Sequence, residues 1–251
     1  VENKGLSGAP EAKFKIRNSK MIITIDPKAK VFILTGAGIS AESGIPTFRD
    51  AGGLWEGWSP EQVATPEAWQ ADPHLVWRFY SERRQRAAEV QPNPAHCALA
   101  QLETKLQDRL FVCTQNVDPL HEQAGSRRVV HMHGELMKSR CDHCSRPPFA
   151  DQQTYFEAVP RCTCGGQIRP HVCWFGEFPY QMDTVLQEVE NCRVFVTIGS
   201  SGRVEPAASF PLWAGRARKY YIGAEEPENA MLFDKVFIGK AGELVPKLFR
   251  V

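Results

Sequence analysis

Nowhere in this 251-residue chain is there an apolar run near the roughly 20 residues that a membrane-crossing helix needs. A dominant charge is missing too. The 30 lysines and arginines face 29 aspartates and glutamates, a formal charge of +1, so electrostatics gives no case for nucleic acid or a membrane surface as partner. Residues Val1–Lys20 are polar and mildly basic, without the apolar core of a secretory signal. They read as a flexible N-terminal segment, and Met21 opens MIITIDPKAK as a natural start would. The cysteines lack a disulfide layout. Of eight, four crowd into one short segment, while Cys97, Cys113, Cys173 and Cys192 stand among apolar residues and read as buried small hydrophobes of a cytoplasmic protein. What is present, 43% hydrophobic and 24% charged residues, suits one α/β domain with a sizeable core and an insertion.

The stretch VFILTGAGISAESGIPTFR, Val31 to Arg49, organises the rest. Val31–Leu34 reads as a strand buried on both faces. Gly36, Gly38 and Ala41 then make G-x-G-x-x-A, a dinucleotide-binding turn with alanine in third place. In this reading Gly36 lets the backbone turn sharply, Gly38 admits a pyrophosphate, and Ser40–Ser43 begins a helix whose N–H groups face the anion. The second strand with an acidic end, expected of a dehydrogenase, is missing. Pro46 cuts the helix short and a Gly/Trp-rich loop, Phe48–Trp58, follows. This implies a nucleotide handled by a loop, with chemistry other than hydride transfer.

Ser59 to about Val90 reads as a helical insertion, its tryptophans interleaved with prolines and mostly core. Tyr80 and Arg83 share a helix face there, where a phenol and a guanidinium can grip a carboxylate; the plainer reading is a solvated arginine beside a half-buried tyrosine. Pro94–Leu106 has the spacing of an amphipathic helix. Arg109–Thr114 is a second buried strand running into Gln115, Asn116 and Asp118, the place where α/β sheets bind ligands. Asn116 and Asp118 can also cap a helix over Val117–Gln123. Val129–His133 predicts a third strand with His131 and His133 on one face. A two-histidine metal site is disfavoured because no carboxylate stands at a matching position nearby. A histidine exposed by Gly134 suits a general base, and the other reads as a satisfied core histidine.

Cys141-x2-Cys144 and Cys162-x-Cys164 flank a polar, proline-containing loop, a pattern for a closed, structural zinc site; the alternative is partial or lost zinc occupancy. RPHVCWFGE, Arg169–Glu177, returns to the main sheet and ends as a substrate-lining loop, with a structural role for Trp174. A helix over Met182–Cys192 precedes a strand, Arg193–Ile198, with Gly199, Ser200 and Ser201 at its carboxyl end as phosphate or ribose contacts. Strands at Lys219–Ile222 and Lys235–Ile238 and a helix over Glu243–Phe249 finish the chain.

GAGISAESGIPTFR, TQNVDPLHEQAG, HMHGEL with its downstream cysteines, and RPHVCWFGE occur in order, and together they resemble the sirtuins, NAD-dependent protein lysine deacylases, of bacterial or archaeal type. The resemblance covers nearly everything from Val31 onward. It implies an α/β fold: a Rossmann-like parallel sheet with helices on both faces (21–139 and 169–251, with residues 59–90 as the helical insertion), a zinc-ribbon module over 140–168, and residues 1–20 as the flexible segment. It implies NAD held by Gly36, Ala37, Gly38, Glu42, Thr47, Phe48, Arg49, Gln115, Asn116, Asp118, Gly199, Ser200, Ser201 and Ala241, with Glu225 at the adenine ribose where the family commonly has Asn. Gln115 and Asn116 meet the ribose and Asp118 the nicotinamide carboxamide. His133 aligns with the family's base and His131 does not. Catalysis thus falls to His133, Asn116 and Asp118, and structural zinc to Cys141, Cys144, Cys162 and Cys164. Acyl-lysine enters as an added β-strand held by Val172, Phe175 and Gly176. Ala64, Tyr80 and Arg83 are similar to the pocket of class III sirtuins, which remove succinyl, malonyl and glutaryl groups, so removal of both acetyl and short dicarboxyl groups is expected. Nicotinamide, free lysine and O-acyl-ADP-ribose are the implied products. A mono-ADP-ribosyltransferase or a non-catalytic NAD sensor is the rival.

Overall fold

A strand buried on both faces demands a layer of helices on each side, and β2 meets that demand. The computed structural model describes residues 22–47 and 57–251. In chain order, β1 (Ile23–Thr24) and β2 (Val31–Thr35) lead to α1 (Pro60–Val63), α2 (Pro66–Ala71), α3 (Pro73–Glu89) and α4 (Pro94–Leu106). Next come β3 (Leu110–Thr114), α5 (Leu120–Gln123), β4 (Val129–His131), β5 (Gly134–Cys141), β6 (Phe149–Ala150) and β7 (Ile168–Val172). The chain closes with α6 (Met182–Asn191), β8 (Val194–Ile198), α7 (Phe210–Trp213), β9 (Arg218–Gly223), β10 (Lys235–Ile238), α8 (Ala241–Leu248) and β11 (Phe249–Arg250). Among the described residues no helix is long and apolar enough to cross a membrane.

Six strands form a parallel sheet in the order β10-β9-β8-β2-β3-β4. Alternation sorts the side chains. Val31 and Ile33 join Leu99 and Leu102 of α4 and Val245 and Leu248 of α8 in one cluster. Phe32 and Leu34 join Val185 and Val189 of α6 and Phe210 of α7 in another. The expected α/β fold with helices on both faces is therefore present, and the central strand sits between two dry layers.

Prolines mark the helix starts. α1 to α4 each begin with one, where the missing N–H costs nothing. Caps precede them: Thr65 Oγ1 accepts from the Ala68 N–H at 3.0 Å, Asp72 Oδ1 from Leu75 at 3.0 Å and Asn93 Oδ1 from Ala95 at 2.9 Å.

A second sheet, β6-β5-β7, is antiparallel, and its central strand β5 ends at Cys141. Here the sequence reading needs correction. β7 does not return to the main sheet but pairs with β5, from Gly134 opposite Val172 to Cys141 opposite Ile168. The cysteine loop reverses the chain, so the segment after it arrives antiparallel to the one before. Gly134 is required at this contact, because a Cβ would collide with the His171 carbonyl oxygen. Three further elements are shorter than expected. Ser40–Ser43 is no α-helix; two 3₁₀ turns, Ala37–Ile39 and Ala41–Ser43, end at left-handed Gly44. Pro119 delays α5 to Leu120, and β4 stops at His131, leaving His133 in the turn beyond it.

Arg84, unremarked in the sequence, pins α3 to this small sheet. It is buried, and its guanidinium donates to the carbonyls of Leu136 (2.9 Å), Gln153 (2.5 Å) and Lys138 (3.2 Å), to Ser139 Oγ (3.0 Å) and to Asp151 Oδ2 (3.3 Å). Arg84→Met would leave buried Asp151 without its counter-charge and remove the donor to three carbonyls. The expected loss is about 3–5 kcal/mol of stability, read as a lower urea midpoint at unchanged slope.

Candidate functional site

From central β2 the chain runs to β3 and β4 on one side and, later, to β8, β9 and β10 on the other. The crevice beyond the carboxyl ends of β2, β3 and β8 is the topological switch point. Its floor is knitted from two loops. The Gly36 N–H donates to the Ile198 carbonyl at 3.0 Å and Gly38 to the Gly199 carbonyl at 2.8 Å. A Cβ on Gly38 would lie 2.8 Å from Gly199 Cα, and one on Gly36 would lie 2.9 Å from the Gly199 carbonyl oxygen. Gly36 itself is extended, with φ −127° and ψ −176°, so no unusual dihedral explains it. These glycines are needed because the loop after β8 presses against them, which corrects the sharp-turn reading of Gly36.

Around this floor stand the expected polar residues. The Gln115 amide donates to Ser200 Oγ at 2.9 Å, and its backbone N–H to the Thr35 carbonyl at 2.9 Å. Glu42 Oε1 accepts from the Gly242 N–H at 2.8 Å, fastening the glycine turns to α8, whose first residue Ala241 is buried. Ser201 receives the Glu228 N–H at its carbonyl (3.0 Å), and Glu225 is exposed just past β9. Ala37 opens the first 3₁₀ turn and Thr47 closes the described segment. Phe48 and Arg49, expected at the cofactor, lie outside the described residues. The donor and acceptor set along this crevice fits a dinucleotide.

Deeper in, one serine couples two of the predicted residues. Asn116 Nδ2 donates to Ser40 Oγ at 3.0 Å and to the Gly36 carbonyl at 3.2 Å, while Ser40 Oγ donates to Asp118 Oδ2 at 3.0 Å. Asp118 Oδ1 takes the Leu120 N–H at 3.2 Å. Burial raises the Asp118 pKa, and these hydrogen bonds restrain the rise. By sequence Ser40 reads only as a helix start. Its position two residues after Gly38 was the available signal.

The two histidines diverge. His131 Nδ1 meets the Asn116 carbonyl at 2.8 Å and Nε2 meets Glu122 Oε1 at 2.9 Å. A carboxylate is therefore present after all, but it occupies the ring rather than sharing a metal, and neither nitrogen is left as a ligand. Burial opposes protonation of His131, yet the Glu122 hydrogen bond and charge outweigh it and its pKa rises. His133 Nδ1 lies 3.0 Å from the Gln115 carbonyl. A carbonyl only accepts, so Nδ1 carries the hydrogen and Nε2 the lone pair. Burial lowers the His133 pKa, and the bond to Gln115 only partly offsets it, so the neutral, basic form prevails near pH 7.

Beside α3 the acyl-pocket candidates share one cluster: Ala64, Tyr80 and Val172, with Trp174 and half-buried Val117. The Phe175 N–H donates to the Ala64 carbonyl at 3.0 Å, and Gly176 adopts a left-handed φ of +87°. Tyr80 is 1% exposed; burial pushes its pKa up to about 12. Arg83 lines a small cavity together with Asp118, Val117 and Leu136, and its charge favours the ionised forms of both Tyr80 and Asp118. Trp174, expected to be merely structural, is 2% exposed and donates its indole N–H to the Tyr80 hydroxyl at 3.0 Å.

The sulfurs of Cys141, Cys144, Cys162 and Cys164 all lie within 4.8 Å of one another. A tetrahedron of Zn–S bonds near 2.3 Å has edges of about 3.8 Å, and Cys141–Cys164 and Cys144–Cys162 are 3.5 and 3.9 Å apart. The His143 and Cys144 N–H groups point at the Cys141 sulfur at 3.4 Å each. The donor set fits structural zinc, C-x-C spacing included. Of the other cysteines, Cys113 and Cys192 are buried and Cys173 is half-buried, but Cys97 is exposed on α4, contrary to expectation.

Comparison with known proteins agrees with this geometry. A profile described as the Sir2 family matches residues 36–206. The NAD-dependent protein deacylase of Shewanella oneidensis is 48% identical over 225 residues, covering 87% of this chain and 92% of its own. That of Pasteurella multocida is 45% identical over 227 residues, covering 87% and 96%. A solved Sir2 homologue in complex with NAD superposes with a TM-score of 0.80 at 41% identity, covering 88% of each chain. Likeness of that degree, in sequence and in backbone alike and across most of both chains, places this protein in the Sir2 family.

Proposed function

We propose that this chain is an NAD-dependent protein deacylase that removes acetyl, succinyl and malonyl groups from lysine side chains. The observation that carries the acyl range is the pairing of Tyr80 and Arg83 on one face of α3, Tyr80 packed in one cluster with Ala64 and Arg83 lining a cavity beside Asp118. A small residue gives width, and a phenol with a guanidinium answers a terminal carboxylate.

NAD, when bound, supplies a glycosidic bond whose cleavage drives acyl transfer to ribose. Gly36, Ala37, Gly38, Glu42, Thr47, Phe48, Arg49, Gln115, Gly199, Ser200, Ser201, Glu225 and Ala241 hold it; Asn116 and Asp118 orient the nicotinamide end. His133, its Nδ1 held by the Gln115 carbonyl, would offer Nε2 to take a proton from a hydroxyl of the bound ribose. Val172, Phe175 and Gly176 receive the acyl-lysine peptide as an added strand, as suits residues at the end of β7. A solved Sir2 protein bound to a deacetylated p53 peptide is 27% identical to this chain, with a TM-score of 0.74, and supports a peptide as substrate. Residues 140–168 form the zinc module, which holds β5 and β7 together.

The test is mass-spectrometric turnover of acetyl-lysine and succinyl-lysine versions of one peptide, with and without NAD. NAD-dependent release of both, with O-succinyl-ADP-ribose from the second, is the expected result. Arg83→Met should lower desuccinylation by tenfold or more, the scale of a lost charge-assisted pair, and deacetylation far less. Equal loss on both peptides would sink the carboxylate clamp. A stable ADP-ribose adduct in place of free lysine would favour a transferase.

A further inference from the structure

We infer that Trp174 is a positioning residue for acyl preference: its indole N–H turns the Tyr80 hydroxyl hydrogen toward the terminal carboxylate of the acyl group. This rests on the reading of Tyr80 and Arg83 as a carboxylate clamp and names what sets that clamp. The indole nitrogen is a donor only. In the 3.0 Å contact between Trp174 Nε1 and the Tyr80 hydroxyl, the phenol oxygen therefore accepts. Tyr80 has one hydrogen of its own, which must then point away from the indole and is left to donate elsewhere. Burial keeps that phenol protonated, with a pKa pushed up to about 12, so it remains a donor at any physiological pH.

Trp174 is itself held from several sides. Its backbone N–H donates to Glu177 Oε2 at 2.8 Å. The Arg169 guanidinium lies over the indole, 3.2 Å from the ring centroid. Arg169 is in turn clamped by Glu177 at 2.6 and 2.9 Å and by the Val172 carbonyl at 2.9 Å. A cation over an indole face draws electron density toward it and strengthens the N–H as a donor. The next residue, Phe175, is bonded through its N–H to Ala64, so one short segment fixes both Tyr80 and the small residue that opens the pocket. An acetyl group has no terminal carboxylate to receive the phenol hydrogen. The Trp174 contact therefore acts on dicarboxyl substrates alone.

The experiment compares KM for acetyl-lysine and succinyl-lysine peptides in wild type, Trp174→Phe, Tyr80→Phe and the double variant. A second replacement of Trp174, by benzothienylalanine, keeps the shape of the indole and removes only the N–H, which guards against a folding defect. Loss of one buried hydrogen bond predicts a rise of roughly five- to tenfold in the succinyl KM relative to the acetyl KM. In the Tyr80→Phe background, removing the indole N–H should add nothing further. Equal KM changes on the two peptides, or multiplied effects in the double variant, would overturn the inference while Arg83→Met still reported a working clamp. A wild-type enzyme that ignores the succinyl peptide would overturn the clamp itself, and this inference with it.

Discussion

His133→Ala is expected to reduce kcat for deacylation by about 10²–10⁴-fold, the usual contribution of a positioned general base. Three structural facts set that expectation. The Gln115 carbonyl fixes the tautomer, so the lone pair on Nε2 is always the one presented. Burial lowers the pKa, so the basic form is populated without an additional switch. Gly134 follows in a left-handed conformation that no other residue adopts without strain, so the ring is set by a turn rather than by a yielding strand. The pH dependence has a definite sign. With His133 as the base, activity should need the unprotonated ring and fall as pH drops through the His133 pKa, which lies below the ordinary value of 6.5. The acid limb of kcat/KM should therefore fall below pH 6.5 and vanish from whatever residual activity His133→Ala retains. An acid limb above 6.5 would assign the base elsewhere. His131 is the control for this argument: the Glu122 carboxylate raises its pKa, so a limb above 6.5 would carry that signature.

Much of this arrangement was legible in the sequence, for reasons that also explain the misses. β2, β3 and β8 were visible because strands buried on both faces are written as unbroken apolar runs. The strand-end residues Gln115, Asn116 and Asp118 followed from knowing where such strands deliver ligands. What the chain does not write locally is pairing across distance. Glu122 reaches His131 only because α5 folds back beside β4, and Ser40 links Asn116 to Asp118 only once β2 and β3 lie side by side. Arg84 looked like any charge on an amphipathic helix until β5 and Asp151 enclosed it. β7 was assigned to the wrong sheet because its register depends on the cysteine loop, which no strand periodicity reports. Gly36 and Gly38 stand out in the sequence as positions that need no side chain, but the cause is incomplete there, since the pressing partner, Gly199, is remote in sequence.

Removing zinc should have the largest effect on the fold. Between the paired ends of β5 and β7 the chain offers the two-residue β6, an isolated bridge from Arg161 to Gln167 and few apolar side chains. Phe149, Tyr155 and Val159 are only partly buried against the neighbouring cluster. A segment so poor in core draws its order from the metal, and structural zinc sites in isolated peptides contribute roughly 10–16 kcal/mol. Part of the module is also held by Arg84 through Asp151 and Gln153, so the loss here should be smaller than that. A loss of several kcal/mol in a chain of this size lowers Tm by about 10 °C or more. Chelation at neutral pH is expected to produce that shift and to abolish peptide turnover, because β7 leads straight into Val172 and the Phe175–Ala64 contact. Wild-type protein should carry one zinc per chain by elemental analysis. The C-x-C pair makes the test sharper. If Cys162 is a full ligand, as its 3.9 Å approach to Cys144 indicates, Cys162→Ser must lose zinc as completely as Cys144→Ser. Stoichiometric zinc in Cys162→Ser would reduce the site to three cysteines and open a coordination position, which a purely structural zinc does not have.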